Sequence, residues 1–599
     1  MATLQRRSRF ILFALWVAIY FVGIFSPPLL DDVDTVHAEA AREMVLRHDW
    51  VTLYANGVRY LEKAPLMYWG VATSYVAFGP NDWSTRLPLM LGVLALILAT
   101  YALGARHFGE RGGFYSGLVM ATALGPYLFT RFLIPDVLVG LWLTLTFFFF
   151  LRTLEDGLPP RWACWGLAAA TALNVLTKGL IGIVFPIGVI GAYLILTGNV
   201  KHAWRMRVFS STLVFLLISV PWHVLAALRN PAQGKVRGFL WFYFVNEQYL
   251  RYIGKRFPVD YDKVPLLLFW ILLLLWLFPW IAFFASALRQ VPHRWAEWRS
   301  PLAAPDRAKL LFFIWAIVIL VFFSFSTRQE YYTIPAIPAL ALIVGAWLDR
   351  EAASAPGSRE RRGAITASLV LFVIGAIGFT AGALLLFFSK PPAPGTDLSD
   401  LLLKHPQDYA LSFGHFFDLT PQALGAFRIP LLGASLSLLL GTGFNWLLRR
   451  RNHPQRANWA LVFMMIGLFT CVHAAFIRFS PILSSKTLAD AVGHQYRPGD
   501  TIVVLGKYED ASTLNYYLHV PLRSLHIPGG NMWYGAQFPD APRVWETQSS
   551  FTELWKGANR IFLWTERENP PELAGLTVHE LARSGGKFIY SNREENAGR

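Results

Sequence analysis

The sequence predicts an all-α, polytopic membrane protein that ends in a small α/β domain. Three observations carry this. Of 599 residues, 54% are hydrophobic and only 15% charged, where soluble domains hold roughly 25% charged residues. About thirteen windows of roughly 20 apolar residues follow one another, each long enough to cross a bilayer as a helix. From residue 480 the chain turns polar, with strand-like runs. This composition excludes a disordered chain, a coiled coil and an ordinary cytosolic enzyme. Two cysteines exclude a disulfide scaffold, and Cys164 and Cys471 fall inside apolar runs that need no redox role.

The windows are 10–30, 86–105, 113–130, 134–151, 162–177, 180–197, 208–227, 264–288, 310–327, 330–348, 364–388, 428–448 and 458–477. The first is too long for a cleaved signal peptide, and no small-residue cleavage site follows it. The net charge of +16 does not point to nucleic acid, because the basic residues sit in short clusters between the windows. Arg6, Arg7 and Arg9, then Lys201, Arg205 and Arg207, then Arg449, Arg450 and Arg451 fall in alternate loops. Lys and Arg mark cytoplasmic loops, so the N-terminus is expected in the cytoplasm and the segment after 480 outside.

This orientation sorts the unusual residues onto one side. Asp31, Asp32 and Asp34, Glu62 and Lys63, Asp136, Lys178, Glu247, Arg251 and Arg328 all fall on the outer face. The transmembrane domain is expected over 1–479, with outer loops at 31–85 and 228–263. Within the first loop, Val36 to His48 reads as a short amphipathic helix lying along the interface. Residues 65–79 read as a second such helix, short for a span. The second loop holds seven basic residues, from Arg229 to Lys263, against the simple charge rule. Residues 480–599 form the extracytoplasmic α/β domain, with strands expected at Thr501–Leu505, Arg560–Trp564 and Lys587–Tyr590. The stretch 529–537 (GGNMWYGAQ) reads as a surface loop.

Three carboxylates within four residues repel one another, and partial desolvation raises at least one pKa, which suits a general base. The alternative is a solvated helix start. Asp136 follows Pro135 at another outer helix start, so a second acid reaches the same side. Lys63 and Lys178 suit a phosphate as point charges, and Arg251 suits one as a bidentate fork. Tyr60, Tyr331 and Tyr332 suit a pocket wall or an aromatic belt. Together these residues favour chemistry on a lipid-linked phosphate at the outer leaflet.

The stretch HAEAAREMVLRHDWVTLYANGVRYLEKAPLMYW (37–69) resembles the N-terminal region of bacterial aminoarabinose transferases and related protein-mannosyltransferase-like enzymes. Further matches follow in order: Ile134-Pro135-Asp136, Leu176-Thr177-Lys178-Gly179, Val220-Pro221-Trp222, Asn246-Glu247-Gln248, and Arg328 to Tyr332 leading to Pro335 and Pro338. The resemblance covers roughly 10–350. It implies a C-type glycosyltransferase fold in the bacterial inner membrane. It also implies transfer of a sugar, 4-amino-4-deoxy-L-arabinose or a hexose, from polyprenyl phosphate to a lipid A or envelope-glycan acceptor. Carried over, the first-loop acid is catalytic, and here either Asp32 or Asp34 takes that place, with Asp32 favoured. Asp136 matches the second acidic position. Asp31, Tyr60, Glu62, Lys63, Lys178, Glu247, Arg251, Arg328 and Tyr332 fall at substrate-binding positions. Some relatives bind zinc through a Glu equivalent to Glu62 and a His that is Gln248 here. A neutral amide is a poor zinc ligand, so no metal is expected. The alternatives are a protein O-mannosyltransferase-like enzyme and a transporter or flippase for lipid-linked sugars. The second fits worse, because transporters place charges near the midplane on broken helices.

Overall fold

The computed structural model describes residues 2–259, 263–405, 414–526 and 529–594, so residues 260–262 of the second loop lie outside the described residues. Every apolar window holds helix. Among the described residues nine helices are long and apolar enough to cross a membrane. That is fewer than thirteen: two windows share one helix, one is a bent pair, one helix is short, and Arg161–Lys178 over window 162–177 is not among the nine. Windows 86–105 and 113–130 share Asp82–Thr122, which breaks at Gly109 with φ +79°. A Cβ on Gly113 would lie 2.4 Å from the Ala105 nitrogen. The two limbs therefore fold back closely, with glycine at their contact. Window 264–288 is two helices, Leu266–Trp276 and Trp280–Leu288, bent by 97°. Ile181–Leu196 is apolar but short, and Gly179 at φ +81° separates it from Arg161–Lys178.

Helix Thr35–Leu46 fills most of the first predicted interfacial segment. It does not lie on a surface, however. Ala38, Glu39, Ala40 and Ala41 are consecutive and all buried, so several faces are covered. It packs against helix Leu66–Phe78 on one side and helix Ser512–Leu518 on another. Leu66–Phe78 has 13 residues, about 20 Å at 1.5 Å per residue, against the ~30 Å of a bilayer core.

The C-terminal unit is a six-stranded sheet. Its spatial order is Trp545–Glu546, Leu522–Leu525, Thr501–Val504, Ile561–Thr565, Lys587–Ser591 and His579–Ser584. The first four strands run parallel, and the last two pair antiparallel at the edge. All five residues of Ile561–Thr565 are buried, as expected for a central strand covered on both faces.

This unit is fastened to the helical part by polar contacts. Asp31 accepts from the Thr513 amide at 2.9 Å, the Thr513 hydroxyl at 2.6 Å, Ser485 at 2.9 Å and Lys587 at 3.0 Å. The Asn56 side chain pairs with the Leu522 backbone in both directions, at 2.9 and 2.8 Å. Tyr534 stacks on Phe242 at 3.8 Å and donates to the Gly238 carbonyl at 3.0 Å. So part of 529–537 is a packed junction, not a free surface loop. At the opposite end of the bundle, buried Glu351 pairs with Arg361 at 3.2 Å and Arg449 at 2.6 Å, joining three long helices.

Gly535 makes the junction possible: a Cβ there would lie 1.9 Å from the Arg59 carbonyl oxygen. Gly535→Ala is expected to destabilise the docked unit by about 1–3 kcal/mol. Gly191→Ala, which meets nothing within 4 Å, serves as the control. Size-exclusion chromatography after graded heating in detergent reads the difference.

Candidate functional site

A cavity of about 1100 Å³ opens between the helical part and the C-terminal unit. Asp31, Asp32, Tyr60, Glu62, Lys63, Asp136, Lys178, Glu247, Arg251 and Tyr332 line it. They come from widely separated stretches of chain that the fold brings to one chamber.

Asp34 and Arg328 are the candidates that do not line it. Asp34 caps backbone: its carboxylate accepts from the Leu30 amide at 3.1 Å and the Leu133 amide at 2.8 Å, with Arg86 at 3.8 Å. It is buried and holds two strands of chain together. Arg328 donates to the carbonyls of Val264 at 2.8 Å and Ser324 at 2.9 Å. Both residues are spent on backbone groups that have no water to turn to.

Asp32 differs. Its backbone is left-handed, φ +59°, and its amide donates to Ser512 Oγ at 2.9 Å. This conformation suits Asp, Asn or Gly far better than other residues. Asp32 is exposed and lines the chamber, whereas Asp34 is buried and does not.

Asp136 opens helix Asp136–Thr153, and Lys178 ends helix Arg161–Lys178. The two form an ion pair. The Lys178 ammonium also lies 5.2 Å from the Tyr331 ring centre and 4.9 Å from that of Tyr332. Aromatic faces and a carboxylate thus hold the lysine in one place.

The central charge cluster holds a residue that sequence reasoning passed over. Arg256 donates to Glu62 at 2.5 Å and to both oxygens of Glu247 at 2.7 and 2.8 Å. Lys63 lies 3.2 Å from Glu62, and Arg251 lies 3.5 Å from Glu247. Burial acts to raise the Glu62 carboxyl, but the charges of Lys63 and Arg256 outweigh it and hold the group low, at about 2. Three cations around two carboxylates leave a net positive charge beside the cavity. Lys63 and Arg251 are its partly exposed members. Arg256 was visible only as one of the basic residues crowding 228–263.

The residues present do not fit a zinc ion. A guanidinium already lies between Glu62 and Glu247, where a second cation would be repelled. The Gln248 amide oxygen accepts from the Leu180 amide at 3.2 Å, which ties this segment to the turn after Lys178. His37 accepts from or donates to Tyr68 at 2.8 Å. Burial, aided by the Lys63 charge, lowers its pKa to about 3, so it stays neutral.

The C-terminal unit supplies the opposite wall, with Lys507, Glu509, Asp510, Asn531, Arg567 and Lys587. None was singled out from sequence as a site residue, though Asn531 lies in the stretch 529–537 and Lys587 opens an expected strand.

Truncating Arg256 leaves two buried carboxylates facing each other. Arg256→Met is expected to cost about 3–5 kcal/mol, and Arg256→Lys to recover only part, since an ammonium cannot reproduce the fork. The Glu62 contribution is complete above pH 4.5, its ordinary value, and fades as pH falls toward 2. The stability gap between Arg256→Met and the parent protein is therefore expected to be largest at pH 7, to begin narrowing below pH 4.5 and to narrow most toward pH 2, read by thermal scans at pH 7, 4 and 2.5.

The family model for dolichyl-phosphate-mannose-protein mannosyltransferase matches residues 62–224. The undecaprenyl phosphate-α-4-amino-4-deoxy-L-arabinose arabinosyl transferase of Aeromonas salmonicida is 28% identical over 341 residues, 55% of this chain and 58% of that one. The enzyme of the same name from Pectobacterium atrosepticum is 25% identical over 380 residues, 62% of this chain and 64% of its own. The chain thus spans somewhat under two thirds of the length of the curated relatives it matches. The crystal structure of ArnT from Cupriavidus metallidurans bound to undecaprenyl phosphate superposes with a TM-score of 0.80 at 25% identity, over 98% of both chains. Its apo state gives 0.78 at 24% identity, over 97% of both. The chain is ArnT-like in sequence and carries the C-type glycosyltransferase fold over its length.

Proposed function

We propose that this protein is an integral-membrane glycosyltransferase that moves a sugar from polyprenyl phosphate to a lipid A or envelope-glycan acceptor on the outer face of the inner membrane. The observation that carries the reading is the chamber itself. A net-positive cluster, Lys63 and Arg251 over Glu62, Glu247 and Arg256, shares one cavity with Asp32. The relatives' names supply the donor class, undecaprenyl phosphate carrying 4-amino-4-deoxy-L-arabinose. The N-terminus is taken as cytoplasmic, with 1–479 as the transmembrane domain and 480–599 as the extracytoplasmic one.

In this reading the acceptor hydroxyl or phosphate attacks the anomeric carbon. The new C–O bond forms as the C–O bond to the prenyl phosphate breaks, and the bonding pair leaves with the phosphate. Asp32 takes or orients the acceptor proton. Lys63 and Arg251 stabilise the negative charge that grows on the departing phosphate, in a site where little water screens them. Asp136 holds Lys178 against the two tyrosines. Apolar and aromatic walls at Val184, Phe322 and Tyr252 suit the prenyl end of the donor.

The family-model match favours a second reading, a protein O-mannosyltransferase-like enzyme. Acceptor assays separate the two: lipid A modification on one side, peptide glycosylation on the other.

Asp32→Asn keeps the left-handed backbone and removes the base. It is expected to lower transfer by 10²–10⁴-fold with the protein still folded. Asp34→Asn is expected to lower the folded yield first. The measurement is mass spectrometry of lipid A from cells carrying each variant, beside the yield of monodisperse protein. Near-normal transfer by Asp32→Asn rejects the base assignment.

A further inference from the structure

Glu509 stands in the 3₁₀ turn Tyr508–Ala511 of the C-terminal unit, immediately before helix Ser512–Leu518. That helix is where the first connecting segment docks. Ser512 receives the Asp32 amide at 2.9 Å and donates in turn to the Glu509 carbonyl at 3.1 Å. Glu509 and Asp32 therefore share one stretch of cavity wall. Glu509 Oε1 accepts the Asn531 amide. Oε2 is shut off from solvent, with no hydrogen-bond partner among the described residues. It lies under Gly530, where a Cβ would come within 2.5 Å of it.

A charged oxygen in that position is costly unless something pairs with it. We propose that Glu509 is a positioning residue for Asp32: it carries a proton in the working enzyme, leaves the negative charge on Asp32, and keeps the Gly530–Asn531 wall seated on the cavity. The idea rests on the reading of Asp32 as the group that meets the acceptor.

The surroundings agree. Burial first, and the Asp32 charge second, push the Glu509 carboxyl up to about 8. The titratable groups that act on it are Asp32 from the segment 31–34 and Tyr508 and Asp510 on its own turn; Lys507, Glu566 and Arg567 line the same cavity, and Lys507 and Glu566 act on Asp510. Asp510 is itself pushed up to about 6, by burial first, and its carboxylate accepts the Lys507 amide at 2.8 Å. No cation is bonded to Glu509 among the described residues. When Glu509 loses its proton, Oε2 gains a charge that only water can satisfy. Water reaches it by lifting residues 530 and 531, which opens the wall and sets a second negative charge beside Asp32.

Two measurements on the full-length protein in detergent test this. The first is hydrogen exchange of peptides covering 529–538, corrected for intrinsic rates, between pH 7 and pH 9.5. It needs no substrate. The expected result is a rise of about tenfold in the parent protein and no rise in Glu509→Gln. In Asp32→Asn the midpoint should move down by about one pH unit, because one neighbouring charge is gone. The second is the ratio of transfer rates at pH 9 and pH 7, with undecaprenyl-phosphate aminoarabinose and lipid A as probes. The parent ratio should fall below the Glu509→Gln ratio by fivefold or more. Equal exchange and equal ratios in parent and Glu509→Gln overturn the proposal, as does an unmoved midpoint in Asp32→Asn. If Glu509→Gln fails to fold, the midpoint comparison alone decides. An active Asp32→Asn sinks the base reading instead, and the exchange data still judge Glu509 by itself.

Discussion

The carboxylate of Asp31 holds the two halves of this molecule in register. It sits in the turn between the first apolar helix and helix Thr35–Leu46 and gathers donors from Ser485, Thr513 and Lys587, three separate parts of the C-terminal unit. Four hydrogen bonds, one of them to an ammonium, tie the unit to the segment after the first helix. That precision matters because the cavity has walls on both sides. Without it, Lys63 and Arg251 would face open solvent, where their charge would be screened and worth little. The adjacent residue, Asp32, inherits its place from the same junction.

Charge is divided across the chamber in a way that a single surface could not achieve. In the central cluster of the helical side, two carboxylates are outnumbered by three cations and locked to them. Glu62 and Glu247 are not free acids but anchors that keep Arg256, Lys63 and Arg251 together despite mutual repulsion. On the other side, burial raises the carboxyls of Glu509 and Asp510, so that they keep protons more readily than ordinary acids. In the proposed reaction the phosphate meets the Lys63–Arg251 cluster, and the acceptor proton meets Asp32 at the seam between the two sides.

Much of this was legible in the sequence, for physical reasons. A bilayer demands long apolar helices, so every window held helix. Residues that cost energy at a membrane surface stand out, and Asp136, Lys178, Lys63 and Arg251 converge on one cavity. The misses are equally instructive. Three nearly adjacent aspartates looked alike as letters. Only the backbone separates them: Asp31 turns to the C-terminal unit, Asp34 caps amides, and the left-handed Asp32 faces the chamber. Arg256 was hidden in a basic loop because its partner Glu62 lies 194 positions away. Glu509 gave no signal, since its character comes from burial beneath Gly530 and from proximity to a residue at the other end of the chain. The helix Thr35–Leu46 looked like a surface amphipath because its alanines score as neutral, yet small side chains are what let three elements close on it.

The left-handed turn at Asp32 also constrains how this protein can drift. Asp, Asn and Gly tolerate that backbone without strain, so chemistry and shape select from the same short set of residues. On the proposed role of Asp32 as the base, a lineage that loses the reaction can exchange it for Asn or Gly without straining this turn. Silent descendants of this chain, folded and membrane-embedded but inert, would carry one of those two letters there, with the remainder of the chamber still in place.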